Sequence, residues 1–155
     1  MIITLKDGSK REVQEGISVI DLAKEISEGL ARVATAGRVD GKVVDLRYNL
    51  NKDSNVEILT FDDEDGKKAY WHTTSHIMAQ AIKRLYKDVK LAIGPAIDDG
   101  FYYDFDTEYR FSEADFEKIE AEMKKIIKED LPIERFELPR SEAIKLMKDA
   151  GEDYK

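Results

Sequence analysis

Strand-like and helical patterns alternate in the first third of the chain. The apolar run "IITL" is followed by Asp7 and Gly8, and an Asp-Gly pair between two strand-like runs predicts a β-hairpin. Ser18 then precedes Asp21 by three residues, which is the spacing of a capping box at the start of a helix. Apolar residues continue at helical spacing from there, and Gly29 is predicted to end this helix.

Further strand-like stretches surround Asp40 and Gly41, and "NVEILTF" predicts the last strand of this region. One helix crossing a small mixed sheet within residues 1–61 describes a ubiquitin-like or β-grasp domain. A general α+β domain without that topology is the alternative. Residues 62–68, "DDEDGKK", contain no apolar side chain and are interpreted as a linker or as an exposed lead-in to the next helix.

The remaining part of the chain, residues 69–155, is richer in helical patterns. Helices are predicted over 69–87, in "RSEAIKLMKDAG", and from Ser112, where Asp115 repeats the capping-box spacing. Two short strands are expected around the turn "DDG" and one more in "LPIERFEL". The fold class is therefore α+β. The second domain is expected to be incomplete, because no closing strand follows the last helix.

Both histidines of the chain, His72 and His76, lie four residues apart in the predicted helix "AYWHTTSHIMAQAIKRLY". At about 100° per residue they share one narrow side of the helix with Ala79 and Lys83. The predicted core side, roughly opposite, carries Trp71, Thr74, Ile77, Met78, Ala81, Ile82 and Leu85. The two histidines are thus expected outside the core, either as a chemical pair or as exposed side chains without a role.

A histidine pair at this spacing can support two kinds of chemistry. Both imidazoles can bind a metal ion, but a catalytic zinc needs a third protein ligand. In a chain without cysteine that ligand would be a carboxylate such as Asp98, Asp99 or Asp104. Alternatively, an imidazole can transfer a proton or orient a water molecule, because its pKa lies near neutrality. The glutamate of the His-Glu-x-x-His metalloprotease motif is missing from "HTTSH".

Either role needs a facing surface, and the segment "GPAIDDGFYYDFD" is the candidate. Its glycines and proline shape the backbone, while Tyr102 and Tyr103 add polar groups to an aromatic surface. A plain hairpin whose aromatic residues fill the core is the alternative interpretation.

Composition and charge limit the classes of function that this chain can have. The net charge is −8, and it is unevenly divided: residues 1–61 hold 9 basic and 10 acidic side chains, whereas residues 62–155 hold 16 and 23. Any contact with RNA must therefore come from local clusters of lysine and arginine. The absence of cysteine excludes disulfides and thiolate metal sites, and it favours the cytoplasm. No apolar run approaches the ~18 residues of a membrane span, so no membrane association is expected.

Four motifs together resemble the N-terminal region of bacterial threonyl-tRNA synthetases: "HTTSH", "AQAIKRLY", "KLAIGPAIDDGFYYDFD" and "GEDYK". The resemblance covers the whole chain in order. Residues 1–61 resemble the TGS domain of that family, a β-grasp domain, and residues 69–155 resemble the first part of its editing domain. This implies contact with threonine tRNA and part of a site that hydrolyses serine wrongly attached to that tRNA.

The resemblance also assigns roles to particular residues. His72 and His76 match the catalytic histidines of the editing site, Tyr103 and Lys155 match residues of its substrate pocket, and no metal is implied in this region. Such a site is needed because serine lacks only one methyl group of threonine. One methyl contact discriminates between two substrates by only ~1–3 kcal/mol.

Two expected features of the family are missing from this sequence. The Cys-x-x-x-His motif of the editing pocket is absent, and so is the catalytic core that binds ATP, magnesium and zinc. The chain is therefore expected to be an N-terminal fragment with no cofactor of its own and little or no activity. Weak binding to threonine tRNA and a monomeric state are expected, because the family forms homodimers through that core. The alternatives are a binding or regulatory module without catalysis and a small histidine-dependent metal hydrolase.

Overall fold

The computed structural model describes residues 1–152 and 154. The chain divides into two compact units, Met1–Tyr70 and Trp71–Lys155. Among the described residues, no helix is both long enough and apolar enough to cross a membrane.

The first unit, which is described throughout, consists of a five-stranded sheet, two short helices and the start of a third. Its elements are β1 (Ile2–Leu5), β2 (Lys10–Glu12), α1 (Val19–Ile26), α2 (Glu28–Val33), β3 (Ala34–Val39), β4 (Lys42–Val44) and β5 (Ser54–Thr60). The strand order is β2-β1-β5-β3-β4; β1 runs parallel to β5, and all other neighbours are antiparallel. The predicted β-grasp fold is confirmed, with the predicted hairpin at Asp7-Gly8 and the predicted strands around Asp40-Gly41.

The helix α1 lies against the sheet because its buried face is apolar. Val19 and Leu22 are fully buried and pack with Ile3 and Val56 of the sheet. The predicted cap at Ser18 is confirmed, since its hydroxyl accepts a hydrogen bond from the N–H of Asp21 at 3.2 Å. Burial of each such aliphatic side chain contributes about 1.5–3 kcal/mol to folding.

The prediction that Gly29 ends the first helix is wrong. The helix ends at Ile26, and Ser27 starts a second helix, α2, in which Gly29 is the second residue. The hydroxyl of Ser27 accepts hydrogen bonds from the N–H groups of Gly29 and Leu30. A serine N-cap can therefore start a new helix close to a glycine that the sequence pattern predicts to be a helix end.

Most of the remaining elements belong to the second unit. They are α3 (Glu64–Leu85), which begins in the first unit, β6 (Lys90–Leu91), β7 (Ala96–Ile97), β8 (Gly100–Phe101), β9 (Phe105–Asp106), α4 (Glu113–Glu129) and α5 (Arg140–Asp149). Strand β6 pairs with β9 and β7 pairs with β8, both antiparallel. The hairpin turn predicted at "DDG" is confirmed.

The helix α3 starts earlier than the sequence pattern indicates. It begins at Glu64, so most of residues 62–68, interpreted above as a linker or lead-in, is helical. Four acidic residues precede or open the helix, where they interact favourably with its dipole: Asp62, Asp63, Glu64 and Asp65. This helix therefore begins several residues before the periodically spaced apolar side chains from which it was predicted.

The core of the second unit lies between α3 and α4. Ala81 and Ile82 of α3 pack with Ile119 and Ile126 of α4, and all four are at least nine-tenths buried. The predicted core side of α3 is thus confirmed at these positions, but Leu85 is 39% exposed. The helix ends at Leu85.

The strand predicted in "LPIERFEL" is not present in the structure. Residues 131–138 form neither helix nor strand, and their four apolar side chains are exposed: Leu131, Ile133, Phe136 and Leu138. A strand requires hydrogen bonds to a neighbouring strand, and the described part of the chain pairs none with this segment.

Candidate hydrolytic site

Helix α3 places the two histidines side by side. His72 and His76 are both exposed, and their ring centroids lie 4.3 Å apart with the ring planes at 58°. This proximity follows from the helix, which brings residues i and i+4 onto the same side. The histidines are therefore outside the core, as the helical spacing predicts.

Ser75, between the two histidines in sequence, joins α3 to the following loop. Its side chain is fully buried. Its hydroxyl donates to the carbonyl oxygen of His72 at 2.7 Å and to that of Gly94 at 3.1 Å, so one hydrogen serves two acceptors. The loop at Gly94 is thereby fixed against the turn of the helix that carries the histidines.

Tyr103 lies on the other side of Gly94. A Cβ atom added to Gly94 would lie 2.0 Å from Cδ2 of Tyr103, so the tyrosine ring covers this glycine directly. The ring also stacks on Phe105 at 4.9 Å, nearly parallel to it. Contacts from the helix to Ser75, Gly94 and then Tyr103 connect the predicted pocket residue with the histidine pair.

The fourth predicted residue, Lys155, lies outside the described residues. Two residues just before it are described. Glu152 forms an ion pair with Lys83 of α3 at 2.7 Å, and the hydroxyl of Tyr154 donates to Asp106 of β9 at 2.9 Å. The C-terminal segment is thus attached to the side of α3 that carries the histidines and to the ribbon that carries Tyr103.

Comparisons with known proteins match residues 1–60 to the TGS domain. Residues 1–60 form a TGS domain. The chain is also 63% identical, over all 155 residues, to a threonine–tRNA ligase of Caldanaerobacter subterraneus subsp. tengcongensis. It is 65% identical over 153 residues to that of Acetivibrio thermocellus and 59% identical over 153 residues to that of Desulforamulus reducens. Each match includes 99% or more of this chain but 24% of the relative.

The chain therefore matches the N-terminal region of threonine–tRNA ligases and spans about a quarter of the length of these curated relatives. The histidines and Tyr103 lie after the TGS domain, in the second unit. The match to the TGS domain ends at residue 60 and does not include them.

The described residues offer few candidate ligands for a metal ion. Among residues 1–152 and 154, no group of three histidine, cysteine, aspartate or glutamate side chains is placed to hold one. The carboxylates considered as third ligands, Asp98, Asp99 and Asp104, are exposed and belong to no such group. The histidine pair offers two nitrogen donors, which suit proton transfer and water binding.

Sequence reasoning missed Ser75, and it considered Gly94 only as a residue that shapes the backbone. A serine within a helix and a glycine before a proline give no signal that they meet across 19 positions. Glycine permits a close approach of the backbone to a neighbouring group, and this is the one signal in the sequence that could have indicated the contact.

A buried carboxylate, Asp115, caps the start of α4. Asp115 accepts hydrogen bonds from the hydroxyls of Tyr86 at 2.9 Å and Tyr109 at 2.8 Å, and from the N–H and hydroxyl of Ser112. The predicted capping box is confirmed, but its tyrosine partners are an addition from the fold. The N–H of Ser112 and then the two hydroxyls hold the pKa of Asp115 well below its usual range.

This carboxylate gives the second unit a pH-dependent stability. A depressed pKa contributes stability above the unfolded value of about 4, and the contribution is lost as pH falls through the folded value. We expect Asp115→Asn to lower Tm by on the order of 5 °C at pH 7 and to flatten the decline of stability below about pH 4. Thermal unfolding across a pH series measures both effects. Asp99→Asn, at an exposed turn carboxylate, is the control, and an identical pH dependence in the two variants would contradict the expectation.

Proposed function

We propose that this chain provides a tRNA contact and part of a hydrolytic editing site within a threonine–tRNA ligase. In this function the ligase attaches threonine to its tRNA using ATP, with magnesium and zinc bound elsewhere in the enzyme. The TGS domain contributes to the tRNA contact. The second unit contributes His72, His76, Tyr103 and Lys155 to the removal of serine from threonine tRNA.

One observation carries the hydrolytic proposal: two exposed imidazoles stand 4.3 Å apart on a helix whose turn is fastened, through Ser75 and Gly94, to the ribbon of Tyr103. Imidazoles at this distance can share one water molecule. Both side chains are exposed to solvent.

The reaction would then be hydrolysis of an ester. A water oriented by one imidazole attacks the carbonyl carbon of the seryl group, and the bond from that carbon to the ribose oxygen breaks. The proton removed from the water passes to the ribose oxygen, and free serine and tRNA result. Tyr103 and Lys155 would hold the seryl group and the end of the tRNA.

The 155-residue chain alone is expected to hydrolyse poorly and to bind threonine tRNA weakly as a monomer. The imidazole pair is open on its exposed side, and the net charge of −8 opposes a polyanion. The absence of cysteine supports a cytoplasmic location in this function. A pure binding module remains the second candidate, which the TGS domain itself favours.

Hydrolysis of Ser-tRNA(Thr) tests this function. We expect the chain, extended by the polypeptide that follows the matched region in the Caldanaerobacter relative, to release serine at least tenfold faster than the chain alone. In the extended protein, His72→Ala and His76→Ala should each lower the rate by about 10²-fold, the scale of lost general acid–base catalysis. Release of labelled serine is the measurement.

Thr73→Ala, an exposed neighbour on the same helix, is the matched control and should keep the rate. Far-ultraviolet circular dichroism confirms that each variant is folded. An extended protein whose His72→Ala and His76→Ala variants hydrolyse at the unaltered rate would contradict the assignment and leave the binding module as the function.

A further inference from the structure

An ion pair joins the end of the described chain to the helix that carries the histidines. Oε1 of Glu152 lies 2.7 Å from Nζ of Lys83, with 13% of the glutamate side chain and 31% of the lysine side chain exposed. The pair Lys68–Glu64, on the same helix, is also 2.7 Å apart, but 82% of its glutamate side chain is exposed. Water screens the exposed pair strongly and the shielded pair much less, so the contact of Glu152 is the stronger constraint.

Backbone hydrogen bonds fix Glu152 where the chain leaves α5. Gly151 has a φ of +71°, in the left-handed region that glycine adopts without strain. Its N–H donates to the carbonyl oxygen of Lys148 at 3.0 Å, and the N–H of Glu152 donates to that of Met147 at 2.9 Å. These two hydrogen bonds form a Schellman motif, a helix end that is usually built on glycine. The side chain of Glu152 therefore projects from a defined backbone.

One carboxylate oxygen of Glu152, Oε2, is buried and accepts no hydrogen bond from the residues that the structure describes. A buried acceptor without a donor lowers the stability of a fold. A buried ion pair, in turn, often contributes no more stability than apolar side chains of similar size. Stability alone therefore gives little reason for a carboxylate at this position, which favours a functional role.

The ion pair lies on the side of α3 that the site uses. Lys83 follows His76 by seven residues, or two helical turns, so the two side chains share one side of the helix. Lys155, which the proposed function assigns to substrate binding, follows Glu152 by three positions in the sequence. Three residues of extended chain reach at most about 11 Å. Anchoring Glu152 therefore limits how far this lysine can lie from α3.

We propose that Glu152 is a positioning residue of the hydrolytic site. Through Lys83 it holds the C-terminal segment against the histidine side of α3, and it thereby keeps Lys155 within reach of the substrate. The proposal rests on the proposed function and adds an ion pair to it. Tyr154 supports the same arrangement, because its hydroxyl donates to Asp106 of β9 at 2.9 Å and attaches the segment to a second element.

The test measures hydrolysis of Ser-tRNA(Thr) by the extended protein over a series of substrate concentrations. We expect Glu152→Ala to raise KM about tenfold and to leave kcat within about twofold, because the loss falls on substrate binding. Glu152→Gln keeps an oxygen acceptor and the side-chain volume. It should raise KM only about threefold, since a neutral acceptor still binds an ammonium group, although more weakly. A merely structural effect would reduce the amount of active protein and so lower kcat without a change in KM.

A double-mutant cycle tests whether Glu152 acts through Lys83. We expect Lys83→Ala to raise KM about as much as Glu152→Ala does. The double variant should raise it no further, because either substitution alone removes the contact. Glu117→Ala, at an exposed glutamate of α4 in the same unit, is the matched control and should leave KM and kcat unchanged.

Hydrogen exchange in the 155-residue chain reports the anchor without any catalysis. The N–H of Gly151 donates to Lys148 only while the end of α5 is closed. We expect Glu152→Ala to speed its exchange roughly tenfold, because the segment then opens more often. Glu117→Ala should leave this exchange rate unchanged.

Three results would overturn the proposal: an unchanged KM in Glu152→Ala, additive effects of the two alanine substitutions, or unchanged exchange at Gly151. Failure of the proposed function gives a different pattern. In that case His72→Ala and His76→Ala hydrolyse at the unaltered rate, and the role of Glu152 falls together with theirs. If the histidine variants lose the rate and Glu152→Ala keeps its KM, the hydrolytic function stands and only the positioning role is wrong.

Discussion

Gly66→Ala is expected to destabilise the first unit by roughly 2–4 kcal/mol, although alanine ordinarily stabilises a helix relative to glycine. Gly66 is buried near the start of α3. A Cβ atom there would lie 2.0 Å from the carbonyl oxygen of Thr60 and 2.8 Å from the hydroxyl of Thr35. The nearest atom belongs to the backbone at the end of β5, so relief requires the helix and the strand to separate.

Urea unfolding followed by hydrogen exchange in β5 measures this loss, because it reports the first unit separately from the second. Gly29→Ala is the matched control. Gly29 is an exposed helical glycine whose added Cβ would meet the Ser27 hydroxyl at 3.4 Å, an ordinary contact. It should gain up to about 1 kcal/mol. Equal effects of the two substitutions would show that helix propensity, and not the contact with Thr60, decides the outcome.

Gly94→Ala is expected to cost the second unit about 1–3 kcal/mol and to move the Tyr103 ring away from its present position. The added Cβ would lie 2.0 Å from Cδ2, 2.4 Å from Cε2 and 2.7 Å from Cγ of that ring. The last atom lies at the base of the ring, so a small rotation does not clear the overlap. The stack on Phe105 must therefore break or shift.

A double-mutant cycle separates the overlap from other effects of the alanine. Gly94→Ala should cost much less in a Tyr103→Ala background, because the atoms that it meets are gone. Ring-current shifts of Phe105 in NMR spectra report the stack directly. If Gly94→Ala costs the same in both backgrounds, the ring does not cover Gly94 in solution.

The β-grasp domain could be predicted because its signals are local. Asp-Gly pairs mark both hairpins, and Ser18 with Asp21 marks the helix start, so neighbouring residues suffice to place these elements. The segment 131–138 failed for the opposite reason. Its alternating apolar residues match a strand, but a strand exists only when another strand completes its hydrogen bonds. Propensity alone does not supply that neighbour.

The candidate site divides in the same way. The positions of His72 and His76 follow from helical geometry, and the sequence is enough to place them outside the core. The connection to Tyr103 passes through Ser75 and Gly94, which lie far apart along the chain. Contacts of that kind arise from tertiary packing, and no periodic pattern in the sequence predicts them. The capping role of Asp115 could be predicted because it depends on local spacing. Its hydrogen bonds with Tyr86 and Tyr109 could not, because they depend on the fold.

The network at Asp115 has a consequence for how this protein can diverge. One carboxylate supplies acceptors to Tyr86, Tyr109 and Ser112 at once, so the energetic effect of replacing any member depends on the other three. Loss of the acid removes the acceptor of both phenol hydroxyls, and loss of either phenol removes a hydrogen bond that stabilises the buried carboxylate. The four positions are therefore expected to change together in evolution. A substitution at one of them lowers the stability of the fold unless the others change to compensate.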